Sequence, residues 1–154
     1  MCFTSIPEVL YVRGYLRLDG LTRLRSLPQG LTVGGCLCLN GCPNLTALPQ
    51  GLTVGRVLRL DNCTSLTVLP QGLYVVGDLN LNCCTSLTSL PQGLHVGGAL
   101  SLAHCISLTA LPQDLKVGQE HDLTGCTRQT PHPQDLKDQR KQQRQQSQQH
   151  QPQQ

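Results

Sequence analysis

Nine cysteines and five histidines in a 154-residue chain could hold a metal, close disulfides or attack a substrate, so their spacing decides among these chemistries. Cys42, Cys63, Cys84, Cys105 and Cys126 stand 21 residues apart, and Cys83 and His104 differ by the same interval. A structural zinc site needs four ligands converging tetrahedrally on one point. Ligands that recur at one fixed interval form a row, and Cys36-x-Cys38 stands outside that row, so no metal site is expected. Asp19, Asn40, Asp61 and Asn82 form a second row at the same interval. Two carboxylates among four positions on one sheet do not wrap a hard cation such as calcium, whereas such a row can hydrogen-bond along a stack. The chain has no glycine-rich phosphate loop and no Ser/His/Asp or Cys/His pair on a shared cleft, so no catalytic residue is assigned.

The rows come from a repeat. Leu-Pro-Gln-Gly recurs at Leu27, Leu48, Leu69 and Leu90, and Leu-Pro-Gln-Asp at Leu111, always 21 residues apart. The frame reaches back to Ile6-Pro7-Glu8-Val9-Leu10 and forward to His132-Pro133-Gln134-Asp135-Leu136. A period of this length predicts a repeat solenoid, whose units bury their apolar faces only by stacking. The fixed columns include Leu31/Leu52/Leu73/Leu94, Val33/Val54/Val75/Val96, Leu37/Leu58/Leu79/Leu100 and Leu39/Leu60/Leu81/Leu102. The Leu-x-Leu pair alternates with period two and reads as a short strand with both leucines on one face. Every unit runs the same way, so the strands must pair in parallel. The array is assigned to residues 1–126, about six units, and residues 127–154 to a degenerate remnant and a glutamine-rich tail. That tail lacks aliphatic residues after Leu136 and is expected to be disordered.

The pattern Leu-x-Leu-x-x-Cys-x-x-Leu-Thr-x-Leu-Pro resembles the leucine-rich repeat. The resemblance covers about residues 6–136, and the short period with its recurrent Leu-Pro is most similar to the Leu-Pro-x class of secreted bacterial effectors. One departure is glycine at Gly34, Gly55, Gly97 and Gly118 in place of the first leucine, with Val33 and its equivalents filling the space. The resemblance implies a parallel sheet on a concave face and a convex side that is extended or a single 3₁₀ turn. It also places the Cys42 column inside, its S–H donors meeting backbone carbonyls. Protein binding on the concave sheet is the implied function. An alternative within the same family is the substrate-recognition part of a ubiquitin-ligase effector whose catalytic domain is absent here; another is a structural repeat protein without a specific partner.

Composition agrees with a soluble, intracellular module, and no cofactor is expected. Aromatics are 3% of the chain and tryptophan is absent, which removes the stacking platforms of single-strand nucleic-acid binders, and a net charge of +3 is too small to argue for nucleic acid. No run of about 18 apolar residues suggests a membrane span, and the first residues make a poor secretory signal, broken by Pro7-Glu8. A cytoplasmic location follows, in the producing cell or in a host, with an odd number of cysteines kept as thiols.

The expected site is the outward side of the Leu-x-Leu strands. Three columns lie there: Tyr15, Cys36, Val57, Asp78, Ala99, Glu120; Arg17, Cys38, Arg59, Asn80, Ser101, Asp122; and Asp19, Asn40, Asp61, Asn82, Ala103, Thr124. Framework columns barely change within the chain, while these differ from unit to unit. The partner-binding set is Tyr15, Arg17, Asp19, Cys36, Cys38, Asn40, Val57, Arg59, Asp61, Asp78, Asn80 and Asn82. Its first half is basic through Arg17 and Arg59, and the second half of the face turns acidic at Asp78, Glu120 and Asp122, a polarity that can orient a charged protein partner. Cys38 should fall between Arg17 and Arg59, a setting that lowers a thiol pKa.

Overall fold

The computed structural model describes residues 10–126; the Ile6–Val9 segment and the expected disordered tail lie outside them. Within these limits the chain is a parallel β-solenoid with no helix, and accordingly no helix is long and apolar enough to cross a membrane. Each unit contributes two two-residue strands. The first of each pair are β1 (Tyr11–Val12), β3 (Thr32–Val33), β5 (Thr53–Val54), β7 (Tyr74–Val75), β9 (His95–Val96) and β11 (Lys116–Val117). The second are β2 (Leu16–Arg17), β4 (Leu37–Cys38), β6 (Leu58–Arg59), β8 (Leu79–Asn80), β10 (Leu100–Ser101) and β12 (His121–Asp122). The odd strands form one six-stranded sheet in chain order and the even strands another.

All pairings are parallel and their register equals the repeat: Leu37 pairs with Leu58, Leu58 with Leu79, and Val33 with Val54. Columns in the sequence are therefore columns in space. The Leu-x-Leu pairs point inward as expected, and both leucines are fully buried in the four central turns from Leu37 to Leu102. In the outermost turns Leu16, Leu18 and Leu123 are half-buried.

The odd sheet is a strand set that the sequence reading left unassigned. Leu31-x-Val33 and its equivalents carry the same period-two alternation, with Leu31, Val33, Leu52 and Val54 fully buried. These valines fill the interior beside the glycines, as the departure from the consensus required. The glycines themselves make the corner between the two strands of a turn. A Cβ at Gly34 would lie 2.7 Å from the Arg13 carbonyl oxygen, and one at Gly77 would lie 2.6 Å from that of Arg56, so successive corners approach closely at these two glycines.

The third side of each turn runs through the Leu-Pro motif. It carries no strand among the described residues, and its backbone is tied between turns where Thr67 N–H donates to Thr46 O (3.3 Å), Thr88 N–H to Thr67 O (3.2 Å) and Thr109 N–H to Thr88 O (3.3 Å), while side chains such as Ser86 and Ser107 add bonds to Thr64 O and Thr85 O (2.6 Å each). Gly51 and Gly72 then turn the chain at positive φ (75° and 70°), a conformation costly for residues with a Cβ.

Candidate functional site

Two rows of polar side chains serve the stack itself. The Cys63 Sγ–H donates to Leu39 O, Cys84 to Leu60 O and Cys105 to Leu81 O, each at 3.0 Å. Each thiol thus caps a carbonyl of the preceding turn at the end of an even strand. Burial pushes the Cys63 and Cys105 thiols up to about 11 and Cys84 further in the same direction. Cys36, Cys38, Cys42, Cys63, Cys83, Cys84 and Cys105 are free thiols.

The second row is the Asp/Asn ladder. Asn40 N–H donates to Asp19 Oδ1 (2.9 Å), Asp61 N–H to Asn40 Oδ1 (3.0 Å), Asn82 N–H to Asp61 Oδ1 (2.9 Å) and Ala103 N–H to Asn82 Oδ1 (2.9 Å). Asp78 does the same two columns away, its Oδ1 accepting from Ala99 N–H at 2.8 Å. Five of the expected partner-binding residues, Asp19, Asn40, Asp61, Asp78 and Asn82, therefore each satisfy a backbone donor of the following turn.

The remaining expected residues share the outward side of the even sheet. Arg17 pairs with Cys38 and Cys38 with Arg59, and Arg59 pairs with Asn80. Strands stack about 4.8 Å apart, which puts the two arginine positions about 10 Å from each other with Cys38 between them. Arg17 and Arg59 are exposed, and Arg17 Nε lies 3.7 Å from Asp19 Oδ2. Tyr15 is exposed and its hydroxyl accepts from Arg56 Nη1 at 3.5 Å. Cys36, Val57 and Asn80 are half-buried.

Cys38 departs from the sequence reading. Its two arginine neighbours are in place and do favour the thiolate, but the side chain is only 8% exposed. Burial comes first and the Asp19 carboxylate second, and together they outweigh Arg59 and Arg17, so the thiol is raised above its ordinary value. The cysteine is a small neutral floor between two charges, not an activated nucleophile.

At the far end of the same face Glu120 and Asp122 are exposed. Asp122 Oδ1 accepts from Thr124 Oγ1 (2.6 Å) and Thr124 N–H (3.0 Å), and these bonds hold its carboxyl below the usual range. The face thus runs from basic to acidic along the solenoid axis. Cys83 and His104 sit at the turn leaving the even strands with φ of 62° and 61°, and no group of three or more metal-ligating side chains occurs among the described residues.

The odd sheet carries outward side chains that the sequence reading did not single out: Tyr11, Thr32, Thr53, Tyr74, His95 and Lys116. Tyr74 and His95 stack at 4.5 Å between ring centroids with planes 3° apart. A hollow lined by His95, Val96, Gly97 and Leu115 to Gly118 lies beside them. The Leu-x-Val alternation held the signal for this face. Compared with family models, curated proteins and solved structures, the chain gives no match.

Proposed function

We propose that this chain is a leucine-rich-repeat-type, protein-binding solenoid without catalysis of its own, and that it takes an acidic surface of a protein partner on the outward, concave side of its even sheet. The observation that supports this reading most is the row Arg17, Cys38, Arg59, in which two exposed guanidinium groups flank a neutral, buried thiol on hydrogen-bonded strands. A guanidinium offers a planar fork of donors suited to carboxylates. Because the arginine backbones are fixed in a ladder, little chain freedom is lost when a partner docks. The partner's carboxylates meet Arg17 and Arg59, Tyr15 provides an amphipathic edge, and Glu120 and Asp122 set polarity by repelling an acidic surface placed the wrong way round. The Leu-Pro-x resemblance adds that the partner is a cytosolic protein of the producing cell or of a host, where free thiols persist.

The test is a pull-down with the intact chain and its Arg17→Glu/Arg59→Glu variant. Retention of a specific partner by the wild type, lost in the double variant with an unchanged melting temperature, supports the reading. A matched control changes Gln50 and Gln71 on the side that carries the Leu-Pro motif. Binding abolished by that control but kept by the arginine pair moves the site to the back of the solenoid.

A further inference from the structure

The outward column Arg17, Cys38, Arg59, Asn80 holds polar groups that the fold leaves unused. Asn40 and Asn82, two residues further along their turns, give their side-chain oxygens to backbone N–H groups of the next turn. The Asn80 side chain is half-buried and has no hydrogen-bond partner among the described residues. Arg59, paired beside it in register, is exposed and makes no ion pair among the described residues. A carboxamide carries a donor and an acceptor side by side, which suits the unpaired backbone of another chain.

Spacing narrows the kind of chain. Arg17 and Arg59 stand two strand spacings apart, about 10 Å along the solenoid axis. Side chains on one face of an extended β-strand recur every two residues, at about 7 and 13 Å, and neither distance matches. An α-helix returns to the same face after seven residues, about 10.5 Å, but its backbone groups are already paired and cannot satisfy Asn80. A polyproline II segment has three residues per turn and rises about 3.1 Å per residue, so positions three apart share a face about 9 Å from each other. Its backbone makes no internal hydrogen bonds. The surroundings suit such a segment. Cys38, only 8% exposed, is a neutral floor beneath the residues between the two charges. Tyr15 lies two residues before Arg17 on the same outward side and is 63% exposed, and aromatic surfaces are where proline-rich segments dock.

Taking the arginine row as the partner site, as above, we propose that the acidic surface bound there is a polyproline II segment of the partner protein. It lies along the solenoid axis with two carboxylates three residues apart, one on Arg17 and one on Arg59, and its backbone meets the Asn80 carboxamide.

The experiment is fluorescence anisotropy of labelled peptides with the full chain at low salt. One probe is Pro-Pro-Glu-Pro-Pro-Glu-Pro-Pro, and the other has the same composition with adjacent acids, Pro-Pro-Pro-Glu-Glu-Pro-Pro-Pro. The spaced peptide should bind about tenfold or more tightly than the adjacent one, since only it reaches both arginines from one face. Arg17→Glu/Arg59→Glu should lose the spaced peptide and prefer its lysine counterpart, Pro-Pro-Lys-Pro-Pro-Lys-Pro-Pro, which a misfolded variant could not do. Asn80→Ala should weaken the spaced peptide about threefold or more at an unchanged melting temperature. Equal affinity for the two glutamate peptides, no binding of either, or no gain for the lysine peptide in the double variant overturns the proposal. Wild-type affinity in Asn80→Ala overturns it too, because a helix could then satisfy the same two arginines. If the pull-down still retains a partner through the arginines, the protein-binding reading stands without this segment; if the pull-down also fails, both fall.

Discussion

A thiol that donates to a carbonyl inside an apolar stack has little tendency to ionise, and this gives Cys63 and Cys105 a pH signature. Their ordinary value is 9.0 and burial pushes both up to about 11. The folded state therefore holds these protons more tightly than the unfolded state. The stability they contribute is full below about pH 9 and is lost as pH rises through about 11. Melting temperatures measured across this window should fall, and fall less when Cys63 and Cys105 are both replaced by alanine. At pH 8 a thiolate-directed reagent should modify Cys63, Cys84 and Cys105 slowly in the native protein. After denaturation without reductant it should reach all nine cysteines of the chain; a count lower by two or more would indicate disulfides. Cys38 shows where residue-level reading stops. Its flanking arginines were legible because register follows from the 21-residue period. Its burial was not legible, because desolvation depends on how neighbouring side chains cover the thiol, and no spacing encodes that.

Within one turn, neighbouring positions of the even strand separate core from surface. Leu81 is fully buried and Asn80 half-buried in the same stretch of chain. Leu81→Asp places an unpaired charge among leucines and should unfold much of the solenoid, while Asn80→Asp should be mild; equal melting of the two would refute the facing assignment. The ladder gives a finer comparison. Asn82→Ala removes the acceptor of the Ala103 N–H and should cost about 1–2 kcal/mol, whereas Asn80→Ala should stay within about 0.5 kcal/mol by chemical denaturation. The even strands were readable from Leu-x-Leu. The odd strands carry an equally regular Leu-x-Val alternation, but two-residue strands joined by a glycine corner leave too short a run for period two to stand out beside turn signals. The thiol caps and the Asp/Asn ladder were legible as rows, since identical spacing places identical groups one above another. The Tyr74 and His95 stack was not, because it needs the odd sheet to exist before the two rings become neighbours.

At the scale of the whole molecule, each turn touches only the turns beside it, so the solenoid should tolerate loss of a complete unit and fail on loss of an incomplete one. Deleting residues 73–93 joins Gly72 to Leu94 and keeps every column in frame. Asp61 would then accept from Ala103 N–H as it now accepts from Asn82 N–H, and Cys105 would donate to Leu60 O as Cys84 does now. Arg17, Cys38 and Arg59 all remain, so binding to the basic half of the face should survive. The melting temperature should drop, since one inter-turn interface is lost. Deleting residues 74–93 removes one residue fewer, leaves Leu73 in place and shifts everything downstream by one position. A one-residue slip turns each inward side chain of a strand outward, so Leu100 and Leu102 would leave the core and their polar neighbours would enter it. Far-UV circular dichroism and thermal melts of the two deletions decide the matter. A folded 73–93 deletion beside an unfolded or aggregated 74–93 deletion is the expected pair; similar melting of both would mean that something other than column-by-column stacking holds the chain together.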